Sequence, residues 1–164
     1  MKIYDNVVII PHEENKFGKT GDIYSNCCIG CPIEIGEQVH VSFGCNFVGQ
    51  GKLILEDRVT ISPGVVIYTS SPDFKQIKDE KVGTFAGNKY IEGFKINALY
   101  VRIMEGTFVG AGAIIGQGVT IGRYCIIGAG AFIKNSMPSY HVAIGNPSVY
   151  HKRRSIEKEE WCGD

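Results

Sequence analysis

Few side chains in this sequence can manage a proton near neutrality. Histidines stand at positions 12, 40, 141 and 151. His40, between Val39 and Val41, is the best placed to act as a general base, because an imidazole can take a proton from an attacking hydroxyl or amine. Asp73 follows Ser70-Ser71-Pro72, where a carboxylate could orient an amine or accept its proton. Plainer readings stand beside these: His40 as an exposed surface histidine, Asp73 as the residue a proline-containing turn favours. Cys28-Ile29-Gly30-Cys31 has the spacing of a zinc or redox pair. A structural zinc site needs four ligands, and no second pair at suitable spacing follows. Packing is therefore the expected role of these cysteines, and no metal is expected.

The whole chain narrows the setting. Its 164 residues fit one domain, and 44% are hydrophobic, enough for a real core. Seventeen Lys and Arg balance seventeen Asp and Glu, so no global field draws in nucleic acid or an anionic membrane. No run approaches the ~20 apolar residues that span a bilayer, and Val7-Val8-Ile9-Ile10 is far shorter than a signal-peptide core. Free, mostly buried thiols in a reducing cytosolic compartment account best for the six cysteines.

Such residues must be positioned by something, and the sequence shows what. Aliphatic residues recur every six positions at Ile103, Val109, Ile115, Ile121, Ile127 and Ile133, several followed by glycine (Gly110, Gly116, Gly122, Gly128). Two residues earlier runs a second register of small or β-branched residues: Thr107, Ala113, Val119, Cys125, Ala131. A period of six keeps no face of a 3.6-residue helix, and the glycines would interrupt one long strand. A chain that makes a short strand, turns and repeats fits both registers. The aliphatic residue enters a shared core and the glycine after it lets the chain turn. Three hexads close one triangular coil, and stacked coils pair their strands in parallel.

The N-terminal half repeats more loosely through Ile29, Ile35, Val41 and Phe47, then takes an eight-residue step through Gly49-Gln50-Gly51 to Leu55, Ile61 and Ile67. Thirteen hexads in all give about four coils, with residues 1–28 adding an imperfect coil or a cap. The expected fold is therefore all-β: one parallel β-helix domain over residues 1–164. A polar, off-period loop interrupts it over about 69–99, the kind of insertion that usually carries function. The tail, about 148–164, contains Lys152 to Glu160 and has the composition of a short helix or cap.

These hexads, the interrupting loop and the tail Ala143-Ile144-Gly145-Asn146-Pro147-Ser148-Val149 resemble the hexapeptide-repeat acyltransferase superfamily. The resemblance covers roughly residues 29–154. It implies left-handed coils, a homotrimer, and acetyl-CoA bound as co-substrate between adjacent prisms. Ile35-Gly36-Glu37-Gln38-Val39-His40-Val41-Ser42 and the stretch from Ile61 to Phe74 are most similar to the branch that N-acylates nucleotide-linked 4-amino-4,6-dideoxy sugars (the viosamine type). Galactoside and maltose O-acetyltransferases place a His-Pro at the start of the loop, where this chain has Ser71-Pro72. A sugar hydroxyl needs a general base, whereas an amine needs a proton acceptor only after it has attacked. The resemblance therefore implies N-acylation of a nucleotide-linked amino sugar, with sugar O-acylation or a non-catalytic β-helix scaffold as the alternatives.

The resemblance also implies a distribution of roles. Gly110-Ala111 and Gly128-Ala129, eighteen residues apart, would line a groove where a pantetheine arm approaches backbone; small residues are also what coil turns require. Lys134, Lys152 and Arg153, with Arg154, are candidates for the CoA phosphates, and a basic tail can equally be solvated. Ser70, Asn88 and Tyr90 are candidates for contact with the sugar or nucleotide. His40 is expected at or near a corner of a coil, pointing outward, two hexads before the loop.

Overall fold

The computed structural model describes residues 1–72 and 96–153. Within them the chain winds through three parallel sheets in strict rotation. The first face carries β1 (Lys2–Ile3), β4 (Gly21–Ile23), β7 (Val39–Val41), β10 (Thr60–Ile61), β15 (Phe108–Val109), β18 (Ile126–Ile127) and β20 (His141–Ile144). The second carries β2 (Val8–Ile9), β5 (Cys28–Gly30), β8 (Asn46–Val48), β11 (Val66–Tyr68), β16 (Ile114–Ile115) and β19 (Phe132–Ile133). The third carries β3 (Lys16–Phe17), β6 (Ile33–Ile35), β9 (Leu53–Leu55), β14 (Val101–Ile103) and β17 (Thr120–Ile121), with a bridge from Ile121 to Met137.

The result is a β-helix of about six coils, against about four expected. The difference lies at the ends. Residues 1–17 form a complete first coil, registered on the second through Ile3↔Ile23, Ile9↔Ile29 and Phe17↔Ile35. An eight-residue step from Ile9 to Phe17, against six from Ile29 to Ile35, hides its period. At the other end the turn through Gly145 and the cis Asn146–Pro147 bond reverses the chain. It returns as β21 (Val149–Arg153), antiparallel to β20. The stretch 149–153 is thus a capping strand, where the tail is expected as a short helix or a cap; residues 154–164 lie outside the described residues. Among the described residues there is no helix.

Both sequence registers face the core. Ile103, Val109, Ile115, Ile121, Ile127 and Ile133 are fully buried, and so, to within 1%, are Thr107, Ala113, Val119, Cys125 and Ala131. Each fully buried aliphatic side chain contributes about 1.5–3 kcal/mol. Thr107, the one polar member, donates its hydroxyl to the Gly122 carbonyl (2.8 Å) and accepts from the Cys125 amide (3.2 Å), so its burial leaves no polar atom stranded.

The glycines that follow some of the aliphatic residues have a different purpose from the one their position suggests. The left-handed turn residue stands three positions before the aliphatic one: Gly44, Gly64, Gly106, Gly112, Gly118 and Gly130, with Asn26, Gln38, Arg58, Tyr124 and Tyr140 in the same place on other coils. The following glycine instead makes room for the next coil. A Cβ on Gly122 would lie 2.3 Å from the Ser139 amide nitrogen, and one on Gly110 2.6 Å from that of Ala129.

Side chains also clasp successive coils. Glu37 accepts hydrogen bonds from the Thr20 hydroxyl (2.6 Å) and from the amides of Lys19 (3.0 Å) and Thr20 (2.9 Å). These donors hold its carboxyl down at about 2, against an ordinary 4.5.

The two kinds of glycine should respond differently to substitution. Gly122→Ala forces a Cβ into backbone and should lower stability by about 1–3 kcal/mol. Gly64→Asn places a left-handed-tolerant residue where nothing lies within 4 Å and should cost under about 1 kcal/mol. Urea midpoints of the two variants measure this; equal losses would mean that stacking is not the constraint. A second expectation concerns acid. Glu37's folded carboxyl titrates below its unfolded value, so its stabilisation is complete above about pH 4.5 and is lost as pH falls through about 2. Glu37→Gln should flatten the pH dependence of the urea midpoint across that window, and an unchanged profile would sink the assignment.

Candidate functional site

His40 is the middle residue of β7, so the register that buries Val39 and Val41 turns its imidazole outward at the centre of the first face. It is mid-strand and near a corner, two residues after the left-handed turn residue Gln38. Asp22 is its register partner on β4 and Thr60 on β10. The Asp22 Oδ2 lies 3.9 Å from His40 Nδ1, with both side chains more than a third exposed. The Tyr24 ring sits 5.0 Å from the imidazole at a 57° tilt, stacks on Tyr4 at 4.5 Å, and Lys2 Nζ lies 4.3 Å over the Tyr4 ring. Sequence reasoning misses Asp22, although the coil period itself, eighteen residues back from His40, points to it.

The loop leaves from elsewhere. Its root is an antiparallel pair, β12 (Ser70–Pro72) with β13 (Ile96–Ala98), at the edge between the second and third faces. Thr69 just before it is fully buried, and its hydroxyl donates to the Val48 carbonyl (3.3 Å). Ser70 Oγ accepts from the Gln50 amide (3.2 Å), and Gln117 Nε2 donates to Ser71 Oγ (2.8 Å). The eight-residue step gains its meaning here. A Cβ on Gly49 would meet Thr69 Oγ1 at 2.4 Å, and one on Gly51 would meet the Leu99 carbonyl oxygen at 2.4 Å. Gly49-Gln50-Gly51 is therefore the seat on which the loop rests. Asp73, Asn88 and Tyr90 lie outside the described residues. Within one chain, then, His40 and the loop root are on opposite sides of the prism.

Gly110-Ala111 and Gly128-Ala129 stack directly, at the edge between the first and second faces. Ala111 and Ala129 are exposed, while Gly110 is buried under the next coil. Several of their backbone groups are consumed by stacking: Gly110 N donates to Ile127 O (2.8 Å), Gly128 N to Ala143 O (2.8 Å) and Gly130 N to Ala111 O (2.9 Å). What the edge offers is a narrow, smooth profile more than a row of open amides. Lys134 is exposed and follows β19 at the far side of the second face. Lys152 and Arg153 belong to β21, with Arg153 paired to His141; Arg154 lies outside the described residues. Lys134 and the pair on β21 thus stand on different faces of one chain.

The third face carries charge. A groove of about 530 Å³ runs over Ile54 and Leu55 between Lys16, Glu34, Arg102 and Arg123. Three of its carboxylates have cations, Lys52 on Glu34 (2.8 Å), Arg102 Nε on Glu56 (2.7 Å), and Arg58 and Arg123 on Glu105, while Glu37 and Asp57 are held by hydroxyl and amide donors. This is a self-neutralising network, which braces successive coils. Cys31 is fully buried and its thiol is pushed up to about 11 by that burial, whereas Cys28 points outward from β5. Facing different ways, the two do not form a ligand pair, and among the described residues no three metal-binding side chains converge.

Comparison with known proteins agrees with this architecture. Residues 100–135 match the family model described as bacterial transferase hexapeptide (six repeats). Over 133 residues the chain is 30% identical to a Schizosaccharomyces pombe protein named as a candidate acetyltransferase; this covers 79% of the chain and 56% of that protein, little over half its length. A cysteine-substituted mutant of AntD, an N-acyltransferase from Bacillus cereus solved with dTDP-4-amino-4,6-dideoxyglucose and coenzyme A, superposes with a TM-score of 0.81. The identity is 18%, over 95% of this chain and 84% of that one. A maltose O-acetyltransferase from Clostridium difficile 630 gives a TM-score of 0.69 and 28% identity, over 85% of this chain and 70% of that one. The shared fold is the left-handed parallel β-helix, and the repeat over residues 100–135 is similar to that of the bacterial hexapeptide transferases.

Proposed function

We propose that this chain is a CoA-dependent acyltransferase that moves an acetyl group from acetyl-CoA to the amine of a nucleotide-linked amino-deoxy sugar. The observation that carries the reading is the loop root. It presents Ser70-Ser71-Pro72, without an imidazole, in a fold that superposes over 95% of its length on an N-acyltransferase bound to such a sugar. In the reaction the amine attacks the thioester carbonyl, the carbon–sulfur bond breaks, and the thiol of CoA leaves. The ammonium formed on attack gives up its proton to a base, for which His40 is the candidate. Asp73 would orient the amine, and Ser70, Asn88 and Tyr90 would contact the sugar or nucleotide. Gly110, Ala111, Gly128 and Ala129 would flank the pantetheine arm, with Lys134, Lys152 and Arg153 toward the phosphates.

His40 and the loop root lie on opposite sides of one prism. This reading therefore places the site between copies, the loop of one subunit over the first face of its neighbour in a homotrimer. Sugar O-acylation is the second reading, favoured by the 28% identity to a maltose O-acetyltransferase and by the outward imidazole of His40.

Calorimetric titration with acetyl-CoA should show one site per chain. Thiol release should then be faster with a nucleotide-linked amino sugar than with maltose or a galactoside. The reverse preference would install the O-acyl reading, and absence of CoA binding would leave a scaffold. His40→Ala should slow turnover by roughly a hundredfold at neutral pH with CoA affinity unchanged. A monomer in sedimentation would remove the shared site.

A further inference from the structure

We propose that Asp22 is the positioning residue for His40, fixing which imidazole nitrogen carries the hydrogen. The inference rests on the reading of His40 as the base but is measured independently of it. Asp22 and His40 are register partners on adjacent coils, so backbone pairing, not chance rotamers, sets them side by side. The Asp22 Oδ2 stands 3.9 Å from Nδ1, longer than a hydrogen bond. Two partly exposed side chains can close that gap by a small rotation, and catalytic contacts commonly tighten only when substrate is bound.

The imidazole is held from a second direction. Tyr24 packs against it at 5.0 Å, and behind Tyr24 come Tyr4, stacked at 4.5 Å, and the Lys2 ammonium. Tyr24 is thus in ring contact with both Tyr4, stacked on it, and His40, tilted against it. The column therefore works as a stop for the His40 ring. On the far side of His40 the register partner is Thr60, an uncharged residue, followed by Phe108 on the next coil. The carboxylate facing this imidazole from the strands beside it is that of Asp22.

A carboxylate beside Nδ1 favours the neutral tautomer with its hydrogen on Nδ1. The lone pair is then on Nε2, the nitrogen directed away from Asp22 and free to accept the proton that the acceptor amine sheds. Asp22 touches neither substrate in this scheme, and no bond to it forms or breaks.

The test uses the full chain labelled with nitrogen-15 in histidine, with the His40 signals assigned by their disappearance in His40→Gln. In the native protein the neutral His40 should show the Nδ1–H pattern. In Asp22→Asn it should move toward Nε2–H, kcat should fall on the order of tenfold, and KM for both substrates should stay within about twofold. The loss should be well short of the roughly 10⁴ seen for a buried triad carboxylate, because both side chains here are partly exposed. Asp22→Glu should restore most of the rate. If Asp22→Asn leaves the tautomer unchanged, the proposal is overturned, whatever happens to the rate. If the tautomer shifts while neither Asp22→Asn nor His40→Ala slows turnover, Asp22 orients the ring as proposed and the base reading of His40 is what fails.

Discussion

Every coil of this protein hangs on its neighbour by backbone hydrogen bonds that run around the corners as well as along the strands. Gly36 N donates to Leu55 O, Glu56 N to Ile103 O, Gly122 N to Met137 O and Gly128 N to Ala143 O, all between 2.8 and 2.9 Å. Coils bonded this closely sit roughly 4.8 Å apart, the spacing of paired strands. At that distance an outward side chain has room on the flat of a face but none where one corner lies flush on the next. Gly110 and Gly122, each pressed against the backbone of the next coil, the small inward residues at the corners and the in-register stacking of like on like all follow from that one spacing.

The same constraint turns the surface into columns. Position within the eighteen-residue coil decides face, edge and direction; coil number decides only height. Each column can then hold its own chemistry. Along the third face and its edge the column is ionic, with Glu34, Glu56 and Glu105 bridged by Lys52, Arg102, Arg58 and Arg123. Along the lower first face it is aromatic, ending in His40. Along the edge between the first and second faces it is small and uncharged, through Pro63, Ala111 and Ala129. A single site therefore draws on residues near eighteen apart in sequence, which are distant by ordinary local reasoning and adjacent here.

This explains what is legible in the sequence. The six-residue period names the inward residues because burial repeats on every coil, and Ile103 to Ile133 all face the core as the period predicts. The period does not separate the turn glycine from the stacking glycine. Both recur every six residues, and only φ and the distance to the next coil distinguish Gly112 from Gly110. The first coil reads in the sequence as an imperfect coil or a cap because the step from Ile9 to Phe17 is eight residues long. Asn6 stands there as a left-handed turn residue and Asn15 as a corner tie, accepting from the Ile33 amide at 3.0 Å. The composition from Lys152 to Glu160 suggests a short helix or a cap; the described part of the tail caps the coils as a strand, whose pairing follows the reversal at Gly145.

The site is legible residue by residue but not as an arrangement. His40 stands out because imidazoles are scarce, and its outward direction follows from Val39 and Val41 facing in. Its position across the prism from Ser70 does not follow. It depends on how many strands separate the two residues around the coil, and the irregular step at Gly49-Gln50-Gly51 obscures that count. From β7 the chain passes β8, β9 and β10, completing one turn, and then β11, before it reaches the edge from which the loop springs. A rigid prism cannot fold back to bring that edge over the first face. Base and loop root are therefore held apart within one prism. The stiffness that fixes each column also fixes that separation.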